Sequence, residues 1–109
     1  MSERYVTPCA LPTDYERELL TILMEEAGEV IQRAAKLLRF GRDEVQPGQE
    51  LSNSRRLAHE IGDLHVMCSL IEDAGLIKWM DISDGCDRKK AQLAKYMQTT
   101  RAKHGDDKP

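Results

Sequence analysis

The longest unbroken pattern in this chain runs from Asp14 to Phe40. Along it Leu19, Leu23, Val30 and Leu37 recur at helical steps, the spacing of a helix with one buried stripe. A second helical stretch, Asn53 to Ala74, is apolar on several sides, through Leu57, Ile61, Leu64, Val66, Met67, Leu70 and Ile71. A helix apolar most of the way round belongs in the middle of a bundle. Ser83 or Asp84 is expected to open a third helix reaching about Arg101, with Ile82, Cys86, Lys89, Leu93, Tyr96 or Met97, and Thr100 along its stripe. The pattern predicts an all-α fold, a bundle of three main helices. Three helices cannot cover the apolar surface of the second, so completion by oligomerisation, as a homodimer or homotetramer, is expected.

The punctuation between these stretches fits. Thr13 or Asp14 is a candidate N-cap with Glu16 in the first turn, and Gly41 closes the first helix. Gly41, Pro47 and Gly48 mark a loop from Gly41 to Ser52, long enough to suggest a functional role. Asn53 or Ser54 is expected to cap the second helix, which ends at Gly75, and Leu76 to Met80 form a short apolar connector. The division is then an arm at residues 1–13 containing Pro8 and Pro12, a helical domain at 14–103, and a polar tail at 104–109 beginning with His104.

Composition narrows the function classes. The 109 residues suffice for one domain, and with aromatics at 5% the core must be aliphatic. Charged residues at 32% against 40% hydrophobic is a helical-bundle balance rather than that of a disordered chain. A net charge of −3 gives no footprint for binding duplex nucleic acid. No signal peptide and no apolar run near roughly 18 residues is read, so a cytoplasmic protein without membrane contact is expected. Cys9, Cys68 and Cys86 fit no disulfide or zinc framework and read as free thiols.

The informative residues are acidic. Glu26 falls on the buried stripe between Leu23 and Val30, and Glu29, three residues on, projects from the same side. Ionised carboxylates leave water only when paired or metal-bound, and no basic partner is evident nearby in sequence. Glu60 and Asp63 form a second pair, also three apart, in the second helix. Two such helices face to face bring four carboxylates to one point. Hard oxygen ligands at that density suit Mg2+, with Mn2+ possible in its place.

Glu25-Glu26-x-x-Glu29 followed by Glu60-x-x-Asp63 resembles the EExxE…ExxD pattern of the MazG-like, all-α nucleoside triphosphate pyrophosphohydrolases. That superfamily includes the dimeric dUTPases and dCTPase-like enzymes. Lys36-Leu37-Leu38-Arg39-Phe40-Gly41 and Glu60-Ile61-Gly62-Asp63-Leu64 agree with it, and the likeness spans roughly Leu19 to Met97. The resemblance implies a magnesium-dependent hydrolase cleaving a nucleoside triphosphate to the monophosphate and pyrophosphate. It implies Glu26, Glu29, Glu60 and Asp63 as metal ligands, and Glu25 as the group that orients or deprotonates the attacking water. It also implies a basic residue near the phosphates on the later helix, for which Lys89 is the candidate, with Tyr96 further along the same face. Lys36, Phe40 and Asn53 complete the candidate substrate-binding set. The spacer from Glu29 to Glu60 is at the long end for the family, and its excess, the loop from Gly41 to Ser52, becomes a candidate wall of the base pocket. The segment before the first motif is short for a separate leading helix.

Plainer roles compete for several of these residues. Phe40 and Trp79 suit core packing as well as base stacking, Asn53 suits helix capping as well as base reading, and His59 and His65 suit packing or surface positions. His59-Glu60 with Asp63 is only distantly like a zincin motif and lacks its second histidine. The absence of an ExxH pair argues against a ferritin-like di-iron site. A non-catalytic oligomeric module that binds nucleotide or metal is the alternative functional class.

Overall fold

The computed structural model of the chain describes residues 10–99. They form three α-helices and no strand: α1 at Asp14–Phe40, α2 at Asn53–Asp73 and α3 at Trp79–Tyr96. None is long and apolar enough to cross a membrane. The chain divides into two compact units, Met1–Leu76 and Ile77–Pro109. The expectations for the arm before Ala10, for Cys9, for Thr100 and for the tail fall outside the described residues.

The first unit is an antiparallel hairpin of α1 and α2. Thr13 caps α1 with a reciprocal pair: the Glu16 amide donates to Thr13 Oγ1 at 3.1 Å, and the Thr13 amide donates to Glu16 Oε1 at 2.9 Å. Gly41 ends the helix at φ 91°, a conformation that disfavours any side chain, and its amide donates to the Leu37 carbonyl. At the far end of α2 the amides of Gly75 and Leu76 return to the carbonyls of Glu72 and Ile71, a Schellman closure with Gly75 at φ 83°. The closure turns Leu76 back onto the core, where Leu19, Met67 and Ile71 are buried and Leu20, Ile22, Leu23 and Ala74 pack around them. This core lies where the start of α1 meets the end of α2.

The opposite end is tied by Asn53. Ser52, rather than Asn53 or Ser54, caps α2, its hydroxyl accepting from the Arg55 amide. Asn53 is the first helical residue, and at 1% exposure it is the most buried polar side chain described. Its Nδ2 donates to the Gly41 carbonyl and to Glu44 Oε1, both at 2.9 Å, while its amide donates to the Glu44 carbonyl. The Ser54 amide donates to the Arg42 carbonyl. Both feet of the loop are thereby fixed to the helix ends, and Gly48 at φ 79° turns its middle.

In the second unit α3 starts at Trp79, earlier than the expected Ser83 or Asp84. Lys78 holds the N-cap position without a side-chain bond; the amides of Asp81 and Ile82 bond its carbonyl, and Asp81 places a negative charge in the first turn. The apolar residues Trp79 and Met80 thus begin the helix rather than connect to it. It stops at Tyr96, with Met97 already extended, short of the expected Arg101. Ile82, Ser83 and Gly85 are half-buried, whereas Lys89, Lys90, Leu93 and Tyr96 are exposed.

Candidate functional site

Midway along the hairpin the two acidic pairs meet. Glu26 lies on the α2-facing side of α1, in line with Leu19, Leu23 and Val30, and α2 presents Glu60 between its half-buried Leu57 and Leu64. Carboxylate oxygens of Glu26, Glu60 and Asp63 all lie within 4.8 Å of one another, with Glu26 and Glu60 half-buried and Asp63 exposed. Glu60 carries the strain of this arrangement. Its Oε1 is shielded from solvent and has no hydrogen-bond partner. Burial raises the Glu60 carboxyl above its ordinary range, and a hydrogen bond with Glu26 and the charges of Asp63, Glu26 and Glu29 add to the effect.

Glu29 is near enough to act on Glu60 through its charge but is not one of the converging three. A three-residue step advances a helix by roughly 300°, so Glu29 sits about 60° round α1 from Glu26. Glu25 is exposed, roughly 100° round the helix on the other side of Glu29.

Among the described residues no ion pair joins a basic side chain to these acids; the ion pair described is the exposed Arg42–Asp43 at 3.8 Å. Sequence reading passed over Arg33, which is half-buried and follows Glu29 by four residues and Glu26 by seven, on their side of α1. Its Nε and Nη1 are shielded and have no hydrogen-bond partner. The spacing was a sufficient signal, had basic residues been followed along the same face as the acids. Three crowded carboxylates, with one shielded oxygen unpartnered among the described residues, are a donor set that fits a hard divalent ion.

The other candidates are distributed. Lys36 is half-buried on α1 with Nζ 5.7 Å from the centre of the Phe40 ring, and Arg39 lies over the same ring at 5.2 Å. Phe40 and Trp79 are both exposed, which corrects the core-packing reading of each. The Asn53 amide group is committed to the loop by its Nδ2 bonds, while its buried Oδ1 has no partner. His59 and His65 are surface residues, Cys68 and Cys86 are free thiols, half-buried and exposed, and Tyr96 has Lys95 over its ring at 5.3 Å within the second unit. No protein-family model, curated protein or solved structure matches the chain.

Proposed function

We propose that the chain is a magnesium-dependent nucleoside triphosphate pyrophosphohydrolase of the MazG-like kind. The observation that carries the reading is the convergence of Glu26, Glu60 and Asp63, three of the four motif acids, within 4.8 Å across two helices. These three would hold the ion, and Glu29 stands beside them. A bound magnesium ion supplies charge neutralisation of the phosphates and a more acidic water. Mn2+ would meet the same ligands.

The chain's own groups do the rest. Glu25, exposed and one residue from Glu26, orients the attacking water or takes its proton. The water oxygen bonds the α-phosphorus as the α–β bridging bond breaks, and pyrophosphate leaves with the electron pair. Lys89 contacts the triphosphate as a point charge, and Tyr96 is the weaker candidate along that helix. Lys36 and Phe40, near the loop from Gly41 to Ser52, are offered to the base, while Asn53, buried and bonded to that loop, holds the loop and does not reach the substrate. The working protein is a homodimer or homotetramer in the cytoplasm.

The test is a panel of standard and modified dNTPs and NTPs with magnesium, scored by pyrophosphate release. Glu29→Gln separates this reading from a structural metal clip. An enzyme loses turnover and keeps its fold, whereas a clip loses its fold or its assembly. Triphosphate protection against melting with no product would mark a nucleotide-binding module.

A further inference from the structure

Arg33 comes four residues after Glu29 and seven after Glu26; Arg56 comes four residues before Glu60 and seven before Asp63. Because α1 and α2 run antiparallel, "after" on one helix and "before" on the other are the same direction, toward the loop. The two arginines therefore stand about one turn beyond the acids and at nearly the same height. Their positions around the helices agree as well. At about 100° per residue, Arg33 falls between Glu26 and Glu29 round α1, and Arg56 falls between Glu60 and Asp63 round α2. Antiparallel helices are related by a twofold axis through their seam, so the turn from Glu26 to Glu29 and the turn from Glu60 to Asp63 open to the same edge of the hairpin. Both arginines are half-buried along that charged edge. The other edge carries Leu23, Ala27 and Val30 from α1 and Leu57, Ile61 and Leu64 from α2.

We propose that Arg33 and Arg56 form an anion seat beside the acidic cluster, and that the seat takes the phosphate chain of the metal-bound substrate. The inference deepens the proposed function and rests on it. Three observations favour a phosphate there. The first is the state of Arg33. Its Nε and Nη1 are shielded from solvent and have no hydrogen-bond partner among the described residues. A guanidinium drawn out of water and left unbonded is unfavourable, and its fork of donors matches the oxygens of a phosphate. Side chains lean toward the start of their helix, which tilts Arg33 back toward the acids.

The second is the charge on the loop side of the cluster. Residues 30–40 and 53–59 hold no acid, so neither helix supplies a carboxylate of its own for these arginines there. The first turn of α2, where the helix dipole favours an acid, carries none and sets Arg56 there instead. The positive end of α2 adds to the field of both guanidinium groups. The third is order. Lys36 and Phe40, offered to the base, continue the same edge about one and two turns beyond Arg33. Acids, arginines and an aromatic ring thus follow one another as metal, phosphate and base do in a metal-bound nucleotide.

Calorimetry of the full chain in excess Mg2+, titrated with inorganic tripolyphosphate, tests the seat. Wild type should bind, and Arg33→Gln and Arg56→Gln should each weaken binding by about tenfold or more, the scale of losing a hydrogen bond to a charged group. Arg33→Lys should recover only part of the loss, because an ammonium lacks the fork. Arg55→Gln, exposed and about 100° round α2 from Arg56, should bind as wild type does. Mg2+ alone should bind Arg33→Gln and Arg56→Gln at least as well as wild type, since a nearby positive charge is gone. The two glutamine variants lie on different helices, so misfolding of one, seen by circular dichroism, leaves the other to decide. Unchanged tripolyphosphate affinity in a folded glutamine variant would overturn the seat and leave the hydrolase reading standing. Parallel loss of Mg2+ and tripolyphosphate binding would make the arginines supports of the acidic cluster and overturn the seat as well. A wild type that binds no tripolyphosphate would also overturn it, with pyrophosphate release from nucleotides deciding the hydrolase reading separately. A wild type that binds tripolyphosphate through both arginines yet releases pyrophosphate from no nucleotide would uphold the seat and end the hydrolase reading.

Discussion

Two stretches of the seam between α1 and α2 occupy equivalent positions and are built from opposite materials. At one end Leu19, Met67 and Ile71 close over one another. Two turns further along α1, the positions that face the partner helix are Glu26, Glu60 and Asp63. The apolar stretch stabilises the hairpin by taking side chains out of water. The acidic stretch works against it, because like charges are held together and partly desolvated. The contrast therefore predicts that substitutions in the two stretches separate stability from activity.

The largest effects should come from the acids. Glu26→Gln, Glu60→Gln and Asp63→Asn, and Glu29→Gln beside them, should each lower pyrophosphate release at least about a hundredfold, the scale of losing one preorganised electrostatic contact, with helix content by circular dichroism kept. Full activity in any two of these variants would end the reading of the acidic stretch as a metal site. The next effect asks whether the chemistry reaches the second unit. Lys89→Ala should lower kcat/KM by roughly ten- to a thousandfold, while Lys90→Ala, equally exposed on α3, stays near wild type. Equal, small changes would make Lys89 a solvated side chain.

A stability change with little effect on chemistry is expected from the apolar stretch. Ile71, at 2% exposure, should cost about 2–4 kcal/mol on change to Ala. Denaturant unfolding of the metal-free protein should show that loss, and an unchanged midpoint would mean that the hairpin core is not what holds the unit together. The smallest effect should have the opposite sign. Glu60→Gln should raise the melting temperature of the metal-free protein at neutral pH, because it removes a carboxylate that the fold crowds and desolvates. Since the Glu60 pKa is raised by folding, the folded chain holds that proton more tightly than the unfolded chain. The wild-type stability linked to it is present below the ordinary carboxylate value and is lost as pH rises through the raised one. The advantage of Glu60→Gln should accordingly fade on acidification. An advantage independent of pH would place its cause outside this titration.

How far the sequence could be read depended on whether the signal was periodic. The limits of α1, Asp14 and Phe40, followed from the stripe and from the Thr13 and Gly41 boundaries, and the structure returns both. The approach of Glu26 to Glu60 followed in the same way, both half-buried between the helices; Asp63 joins them from an exposed position, and Glu29, expected with them, is not among the converging three. Where the pattern was local, competing residues could not be ranked. Asn53 or Ser54 was expected to cap α2, whereas Ser52, read as the end of the loop, does so and Asn53 is spent on tying the loop. The start of α3 was misplaced because Lys78 supplies no side-chain cap, whereas Ser83 and Asp84, both good caps, lie inside the helix. The exposure of Met24, Ile31 and Leu38 was hidden by the stronger stripe on the same helix. A helix apolar over a wide arc does not say which part of the arc its hairpin partner will cover.

The Asn53 tie has a consequence for how such a chain can diversify. Because that one side chain and the amides beside it anchor both feet of the connection, to Gly41 at one end and to Glu44 just inside it, residues 45–51 are held at their base and hardly at all along their length. Lengthening such a segment adds little closure entropy, about 0.6 kcal/mol per doubling. That span is expected to accept insertions at small cost. New residues can be written into it while the two helices, and the acids aligned between them, stay in place.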